Sequence, residues 1–231
     1  MTQPDLAFLD VNGRRIAYRL RDGSSPMMVF LPGYASDMEG TKALALDGFA
    51  GRSGLAMLRL DYSGTGSSGG KFEDGTLALW LREALAVIDR LTQGPLVLIG
   101  SSMGGWLALH LALLRPERVA ALIGVAAASD FTEWGFSDGQ AAERQGIARA
   151  FWEAGQQLCL LNTEIAIDCP IRLIHSEKDN DVPLDVAFRT MHALRSADVQ
   201  LTVIKGGGHR LSEPHEIDAI LRTVAGLTET P

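Results

Sequence analysis

A serine lies between two glycines in the segment Gly100–Gly104, which has the sequence Gly-Ser-Ser-Met-Gly. The short apolar run Leu96–Ile99 precedes this segment and a helical pattern follows it, so Ser102 falls on a sharp turn from strand to helix. Such a turn leaves no room for side chains at the flanking glycines and exposes the serine hydroxyl, as in a nucleophile elbow. Ser101 does not fit, because neither of its corresponding flanking positions is a glycine. We therefore predict that Ser102 is a nucleophile.

A serine hydroxyl needs a base to accept its proton, and a histidine oriented by a carboxylate is the common solution. His209 follows the last predicted strand across Lys205–Gly208, where three consecutive glycines would let the imidazole reach the sheet edge. The other four histidines have simpler explanations as packing or surface residues: His110 and His192 within predicted helices, His175 at a strand end and His215 at the start of the last helix. We predict His209 as the base.

The orienting carboxylate is expected in the loop after the penultimate predicted strand. Asp179 lies in that loop and gives the order serine, aspartate, histidine along the chain, which suits a strand–turn–helix nucleophile. Glu177 and Asp181 share the loop, and Asp130 ends the preceding strand, so these three carboxylates are alternatives. Asp179 is the predicted acid.

Attack on a carbonyl group produces an oxyanion that backbone N–H groups can stabilise. The amide of Met103 lies at the predicted helix N-terminus, where amides have no partner within the helix. A second donor is expected in the loop Leu31–Asp37, where Gly33 keeps the chain open and Tyr34 follows. The turn has Pro32-Gly33, which leaves the backbone donor of Tyr34 in place. We predict the Tyr34 and Met103 amides as an oxyanion hole.

No cofactor and no metal are predicted. The segment Asp61–Gly70 is rich in glycine but lacks both the Gly-Lys-Ser/Thr ending of a phosphate-binding loop and the third glycine of a dinucleotide fingerprint. We expect it to shape the floor beside Ser102 and to support the oxyanion turn. Cys159 and Cys169 lack zinc-site spacing and are expected to be buried thiols rather than part of a disulfide framework.

These candidate residues follow predicted strands whose ends must meet at one sheet edge. Six apolar runs are typical of strands buried on both faces: Met27–Leu31, Leu55–Leu60, Leu96–Ile99, Ala120–Val125, Ile171–Ile174 and Val199–Ile204. Five helical segments alternate with them: Thr41–Arg52, Thr76–Thr92, Gly104–Arg115, Leu184–Arg195 and Glu213–Leu227. Two further runs joined through Asn12-Gly13 predict an antiparallel hairpin. The pattern predicts an α/β fold with a mostly parallel, mixed sheet flanked by helices.

One connection departs from the alternation. Residues Asp130–Asp168 separate two predicted strands, and a connection this long is usually a lid or a functional insertion. We expect one domain, residues 1–231, with a small helical cap inserted at 130–168. Aromatic side chains of the cap would line an apolar pocket, although core packing of a small lid would give the same pattern: Phe131, Trp134, Phe136 and Trp152.

Composition excludes several classes of protein. The 231 residues are 46% hydrophobic and 21% charged, which is ordinary for a globular chain and unlike a disordered one. A net charge of −7 argues against a nucleic-acid surface. The longest apolar stretch, Val119–Ala128, is too short to span a bilayer. The first ten residues have neither a signal-peptide nor a transit-peptide pattern, which predicts a cytoplasmic location. The oligomeric state stays open.

The elbow and its surroundings resemble the α/β-hydrolase superfamily over nearly the whole chain, and within it a mitochondrial group of palmitoyl-protein thioesterases that also cleave acyl-glucuronides. The similar segments are Phe30–Tyr34, Gly40–Ala43, Asp61–Gly64, Gly100–Leu107, Arg115–Glu117, Ala121–Gly124, Cys169–Leu173 and His209–Arg210. The resemblance implies Ser102, Asp179 and His209 as a catalytic triad. It also makes Arg210 a candidate contact for an anionic substrate group, with an exposed surface arginine as the alternative. The predicted cap is the part of the chain that resembles the family least. The resemblance therefore supports the reaction class better than it supports a particular substrate.

The predicted reaction is acyl transfer. We expect a serine hydrolase that cleaves carboxylic esters or thioesters of small molecules or acylated proteins, with a palmitoyl-type acyl thioesterase as the first hypothesis. A carboxylesterase for small esters or acyl-glucuronides is the nearest alternative. From a different class, the chain could be a non-catalytic receptor or scaffold with a hydrolase fold. Ser102 disfavours dehalogenases and epoxide hydrolases, which use aspartate at the elbow.

Overall fold

The computed structural model describes residues 3–228, and its centre is one sheet built from the apolar runs. Its strands are β1 (Leu6–Val11), β2 (Arg14–Arg21), β3 (Ser24–Leu31), β4 (Leu55–Leu60), β5 (Leu96–Ser101), β6 (Val119–Val125), β7 (Ile171–Ser176) and β8 (Val199–Ile204). Every residue of β4 and β5 is buried, as expected for strands covered on both faces.

The sheet order is β1-β2-β4-β3-β5-β6-β7-β8. The β1–β2 and β2–β4 pairs are antiparallel, and all later pairs are parallel, so the sheet is mixed with its antiparallel part at one edge. Parallel register brings successive strand ends level: Leu31 pairs with Gly100, Ser101 with Val125, and Ser176 with Ile204. The loops that follow these strands therefore meet at one edge, and the predicted fold class is confirmed.

Helices cover both faces of the sheet. They are α1 (Thr41–Ser53), α2 (Leu77–Leu91), α3 (Met103–Leu114), α4 (Phe131–Trp134), α5 (Gly139–Arg144), α6 (Arg149–Gln156), α7 (Leu184–Ala193) and α8 (Pro214–Thr228), with a 3₁₀ turn at Phe72–Asp74. The five predicted helices are present with small shifts at their ends. The Thr76 side chain caps α2 by accepting a hydrogen bond from the Leu79 amide at 3.1 Å.

The hydrophobic core has two layers, one on each side of the sheet. Helices α2 and α3 pack on one face, and ten consecutive residues of α3, Met103–Ala112, are buried because the β6–β7 connection covers the helix from outside. Helices α1 and α8 pack on the other face. Within residues 3–228, no helix combines the length and the apolarity needed to cross a membrane.

The β6–β7 connection contains the short helices α4, α5 and α6. It is anchored by Asp130, whose buried carboxylate accepts hydrogen bonds from the Leu160 and Leu161 amides at 2.8 and 2.7 Å. The ring centroids of Phe131 and Phe151 lie 5.7 Å apart, so α4 near the start of the connection also packs against α6 through an aromatic contact. A buried anion and ring packing thus hold a segment whose helices are too short to be stable alone.

Candidate active site

Ser102 occupies the turn between β5 and α3 with φ +53° and ψ −121°. A side chain in this region costs about 1–3 kcal/mol of strain, so the surroundings must hold it there. Backbone hydrogen bonds do so: the Ser102 amide donates to the Val125 carbonyl at 2.9 Å, and its carbonyl accepts from the Ala128 amide at 3.0 Å. The hydroxyl therefore projects from the sheet edge on a rigid backbone.

The two flanking glycines are required by close backbone packing. A Cβ at Gly100 would meet the backbone of Gly104, and one at Gly104 would meet the carbonyl oxygens of Leu31 and Pro32. Gly33 is tight as well, because a Cβ there would lie 3.2 Å from the Ser102 Cβ. The glycine spacing seen in the sequence thus has the expected steric cause.

His209 and Asp179 meet Ser102 in one chain of hydrogen bonds. The Nε2 atom of His209 lies 3.0 Å from the Ser102 Oγ, and its Nδ1 lies 2.8 Å from the Asp179 Oδ2. The Asp179 side chain is fully buried, and its other oxygen accepts from the Asp181 and Val182 amides at 2.9 and 2.8 Å. The structure therefore brings the three predicted residues together, one from each of three loops.

The electrostatics of Asp179 favour its charged form. Burial alone would raise the pKa of its carboxyl, but the hydrogen bond from His209 and the two backbone amides outweigh burial and hold the pKa below its usual value. The buried His175 adds a second imidazole, with its Nε2 atom 3.5 Å from the Asp179 Oδ2 and 2.9 Å from the Val182 carbonyl. Asp179 is thus an ionised, fixed acceptor for the His209 ring.

Among the described residues, none of the alternative carboxylates is hydrogen-bonded to His209. Asp130 anchors the β6–β7 connection, and burial raises the pKa of its carboxyl despite the Leu160 and Leu161 amides. Glu177 is exposed, while Asp181 is exposed at a cavity rim. Of the remaining histidines, His110 is buried with its Nε2 atom 2.9 Å from the Leu158 carbonyl, and His192 and His215 are exposed.

The two residues of the predicted oxyanion hole, Tyr34 and Met103, line one cavity together with Ser102. Met103 is the first residue of α3, and Tyr34 follows Gly33 in the turn after β3. The Asp61–Gly70 segment contacts this turn: the Tyr62 hydroxyl donates to the Pro32 carbonyl at 3.2 Å, and the Asp61 carboxylate accepts from the Met38 amide at 2.7 Å. The glycine-rich segment therefore lies where a supporting role requires it.

Two cavities open beside the Ser102 hydroxyl. The aromatic cavity, of about 200 Å³, lies under the β6–β7 connection and is lined by Tyr34, Met103, Ala128, Phe131, Trp134, Phe136, Gln145 and Val182, among others. The polar cavity, of about 400 Å³, lies on the other side and is lined by Gly33, Ser36, Asp37, Gly40, Lys42, Arg210 and Ser212, among others. Both share Tyr34, Ser102 and His209, so the hydroxyl lies at their junction.

The predicted pocket residues divide between these cavities. Phe131, Trp134 and Phe136 line the aromatic cavity, and Arg210 lines the polar one. Trp152 lines neither, because its ring packs against Gly139 on α5, 3.2 Å from a Cβ placed there.

Sequence reasoning did not single out three residues at the site. Lys42 lines the polar cavity and Gln145 the aromatic one. The Ser176 hydroxyl bonds to the Gly207 carbonyl in the loop that carries His209. Lys42 lies in the segment Gly40–Ala43, which carries part of the family resemblance, so this resemblance could have indicated that Lys42 lies at the site. No local pattern marks Gln145 or Ser176.

Two groups of potential metal ligands occur among residues 3–228, and both are already engaged. Asp179, Asp181 and His209 form one group, but Asp179 and His209 bind each other. Asp130, Glu133 and Cys159 form the other, but the Asp130 oxygens accept backbone amides. Burial raises the pKa of the Cys159 thiol to about 11, which disfavours the thiolate that binds a metal.

Comparison with known proteins gives consistent results. The sequence model of the alpha/beta hydrolase fold matches residues 26–149. The human protein named palmitoyl-protein thioesterase ABHD10, mitochondrial, is 37% identical over an alignment of 249 residues that covers 99% of this chain and 79% of that protein.

Solved structures agree with the sequence comparison. Mouse alpha/beta hydrolase domain-containing protein 10 superimposes with a TM-score of 0.90 at 34% identity, covering 96% of this chain and 98% of the other. A putative hydrolase from Agrobacterium vitis S4 gives a TM-score of 0.89 at 34% identity, covering 97% of this chain and 98% of the other.

The similar human and mouse proteins are named mitochondrial, which gives no support to the cytoplasmic location expected from the first ten residues. That location stays a prediction. The matched family, the identity over nearly the full length and the close superposition all agree with the fold. This chain is a member of the α/β-hydrolase family.

Proposed function

We propose that this hydrolase is a serine acyl hydrolase that cleaves carboxylic thioesters and esters through an acyl-enzyme on Ser102. The observation that carries the proposal is the hydrogen-bond chain from Asp179 through His209 to the Ser102 hydroxyl, with donor–acceptor distances of 2.8 and 3.0 Å. This is the geometry that a nucleophile, a base and an orienting acid require.

In the acylation step, the Ser102 Oγ attacks the carbonyl carbon while the His209 Nε2 accepts the hydroxyl proton. The tetrahedral oxyanion is stabilised by the Tyr34 and Met103 amides, which cost no reorganisation because their backbone is fixed. Collapse breaks the bond to sulfur or oxygen, and His209 returns the proton to the leaving thiol or alcohol. Asp179 stays ionised and stabilises the charged imidazole.

Deacylation repeats the sequence with water as the nucleophile. His209 removes a proton from the water, whose oxygen attacks the acyl carbon and forms a second oxyanion. Collapse breaks the ester bond to the Ser102 Oγ, which takes the proton back from His209. The products are a carboxylic acid and a free thiol or alcohol.

The aromatic cavity is proposed as the acyl site. Phe131, Trp134 and Phe136 line it and would remove an apolar chain from water. In this proposal residues 130–168 form a cap inserted into a single domain, residues 1–231. The thioesterase name of the similar human protein supports an acyl thioester as the first substrate class to test.

An assay of acyl thioesters beside aryl esters tests the proposal. Palmitoyl, hexanoyl and acetyl thioesters are compared with nitrophenyl esters of the same acids, using the purified chain and its Ser102→Ala variant. We expect hydrolysis that Ser102→Ala abolishes, with thioesters preferred and medium or long acyl chains preferred over acetyl. A preference for aryl esters and acetyl groups would favour the carboxylesterase alternative. No hydrolysis of any substrate by the purified chain would favour a receptor or scaffold.

A further inference from the structure

His209 follows a segment whose sequence permits many conformations. The segment Gly206–Gly208 consists of three glycines, and glycine loses more conformational freedom on folding than any other residue. One of its backbone hydrogen bonds, from the Leu211 amide to the Gly208 carbonyl, measures 3.3 Å, which is longer than is typical. A catalytic base must nevertheless be held within about 0.5 Å of its productive position. Contacts from other elements therefore have to restrict these glycines.

Ser176, the last residue of β7, makes such a contact. Its side chain is fully buried, and its hydroxyl donates to the Gly207 carbonyl, two residues before His209. The same hydroxyl accepts a hydrogen bond from the Lys178 amide at 3.2 Å, and Lys178 directly precedes Asp179. The Ser176 hydroxyl thus connects the loop of the acid to the loop of the base, in addition to the bond between the acid and the base themselves.

The space around Gly207 keeps the glycine segment close to Ser176. A Cβ at Gly207 would lie 3.2 Å from the Ser176 Oγ and would collide with the Glu216 Oε1. Glu216 is itself buried, and its Oε2 accepts a hydrogen bond from the Glu213 amide at 2.8 Å. Gly207 therefore fits between two buried polar side chains, one from β7 and one from α8.

A second bond restricts the chain beyond His209. The Lys42 ammonium, in the first turn of α1, donates to the Arg210 carbonyl. One carbonyl on each side of the imidazole is thus held by a side chain from outside the loop. Lys42 is partly exposed whereas Ser176 is fully buried. Because a hydrogen bond is stronger where water is excluded, the bond of Ser176 is the firmer of the two constraints.

We infer that Ser176 is a positioning residue for the base: its hydroxyl bridges the loops of Asp179 and His209 and fixes the imidazole against Ser102. The inference rests on the proposed function and deepens it, because the position of His209 matters for the rate only if His209 accepts the Ser102 proton. The glycines let the chain turn back to the sheet edge, and the Ser176 hydroxyl removes the freedom that they introduce. Loss of this hydroxyl should therefore slow proton transfer for every substrate without weakening substrate binding.

Removal of the hydroxyl, compared with removal of a matched one, tests this inference. Ser196 makes the same pair of bonds at the opposite end of the sheet, since its hydroxyl accepts from the Asp198 amide at 3.2 Å and donates to the Cys169 carbonyl at 2.8 Å. We expect Ser176→Ala to lower kcat about tenfold for hexanoyl and acetyl thioesters alike, with KM within about twofold. Ser196→Ala should leave both constants unchanged. A similar loss in the two variants, or no loss in Ser176→Ala, would overturn the inference.

A second substitution separates positioning from general stability. Among the described residues, no atom lies within 4 Å of a Cβ added at Gly208, and this glycine does not have a positive φ. Alanine therefore fits at Gly208 and restricts the segment. We expect Gly208→Ala to raise the kcat of Ser176→Ala several-fold. Gly226→Ala, which adds a methyl group to α8 without a clash, should not raise it. Equal recovery by the two glycine variants, or none by Gly208→Ala, would contradict the inference.

The hydrogen bond between His209 and Asp179 provides a measurement that does not depend on turnover. Proton NMR detects the His209 Nδ1–H as a far-downfield resonance, which we expect in the unmodified chain and in Ser196→Ala. In Ser176→Ala it should broaden or move upfield. Such a change supports the inference even if no thioester is hydrolysed, and an unchanged resonance overturns it even if hydrolysis is fast. Should Ser176→Ala reduce the folded fraction, Ser176→Cys provides the same test, because a thiol has a similar shape but is a weak donor.

Discussion

The turn that carries Ser102 and the segment that covers it are held in place by different interactions. The sheet-edge wall consists of the elbow and the loops of Tyr34 and His209, and the cap wall consists of residues 130–161. On the sheet-edge wall, backbone hydrogen bonds fix Ser102, for example its amide to the Val125 carbonyl at 2.9 Å. The cap wall is held by side chains. The Asp130 carboxylate accepts backbone amides, and aromatic rings pack in pairs, such as Phe131 and Phe151, whose ring centroids lie 5.7 Å apart.

This difference separates chemistry from selectivity. Acyl transfer requires atoms held to within fractions of an ångström, and the strand ends provide that rigidity. Recognition of an apolar chain requires only a surface of suitable shape, which short helices held by side chains can provide. Changes to the sheet-edge wall should therefore affect the rate for every substrate, and changes to the cap wall the choice among them.

Asp179 and Asp130 give the largest contrast, because Asp179 holds His209 of the sheet-edge wall and Asp130 anchors the cap wall. Asp179→Asn should lower kcat by about 10⁴, since the amide cannot hold the correct His209 tautomer. Asp130→Asn should change kcat for acetyl esters only a few-fold, because Asp130 contacts the Leu160 and Leu161 amides rather than the histidine. Steady-state kinetics on acetyl and palmitoyl thioesters measures both. The reverse ranking would make Asp130 the acid.

Glycine packing gives the next contrast. Gly104→Ala should lower the free energy of unfolding by about 1–3 kcal/mol and reduce activity on all substrates, because the new methyl group meets the Leu31 and Pro32 carbonyls. Gly226→Ala is the matched control in α8, where no atom lies within 4 Å of the added Cβ. It should stabilise the protein by up to about 1 kcal/mol. Urea denaturation measures both, and equal behaviour of the two variants would contradict the tight packing at the elbow.

Aromatic residues of the cap wall should affect selectivity. Phe131→Ala removes a ring from the aromatic cavity and should lower kcat/KM for a palmitoyl thioester about tenfold, with little change for an acetyl thioester. Trp152→Phe is the control, because Trp152 lies outside the cavity and its buried indole N–H has no hydrogen-bond partner within residues 3–228. Equal losses on long and short substrates in Phe131→Ala would show that Phe131 acts by packing alone.

The smallest contrast is in the pH dependence of stability. The pKa of Asp179 is lowered in the folded state, so its contribution is present above the unfolded value of about 3.9 and is lost as pH falls through the folded pKa. The pKa of Asp130 is raised, so its contribution is greatest below about 3.9 and is lost as pH rises through the folded pKa.

The corresponding variants should therefore respond to pH in opposite directions. Relative to the unmodified chain, Asp179→Asn should lose stability as pH rises from acid to neutral, and Asp130→Asn should gain it. Urea midpoints measured from pH 7 down to the lowest pH at which the chain folds give the two slopes. Slopes of the same sign would contradict the assigned pKa directions.

The sheet-edge wall could be predicted from the sequence because local rules determine it. Gly100 is required by a contact inside the turn, with Gly104, whereas Gly104 packs on the distant Leu31 and Pro32 carbonyls. The spacing of the two glycines nevertheless marks the turn in the sequence, and apolar runs mark the buried strands. The convergence of Ser102, Asp179 and His209 follows from parallel strands ending at one edge. For these reasons the order of motifs along the chain was sufficient to place Ser102, His209 and the loop of Asp179 at that edge, although Glu177 and Asp181 share this loop.

The cap wall could not be derived in the same way. Helices α4 and α5 have 4 and 6 residues, too few to form without tertiary contacts, so their orientation depends on distant partners. Trp152 shows the consequence, because its helical segment was recognisable but the direction of its ring was not. Lys42 reaches the polar cavity from α1 through a bond to the Arg210 carbonyl, a contact between distant segments that no local pattern contains.

Covalent labelling of Ser102 tests the central claim most directly. The purified chain is treated with a fluorophosphonate, and the modified peptide is identified by mass spectrometry, with Ser102→Ala and His209→Ala in parallel. We expect one adduct, on Ser102, that is absent in Ser102→Ala and forms far more slowly in His209→Ala. Labelling of Ser101 instead, or no labelling of the folded chain, would contradict the assignment of Ser102 as the nucleophile.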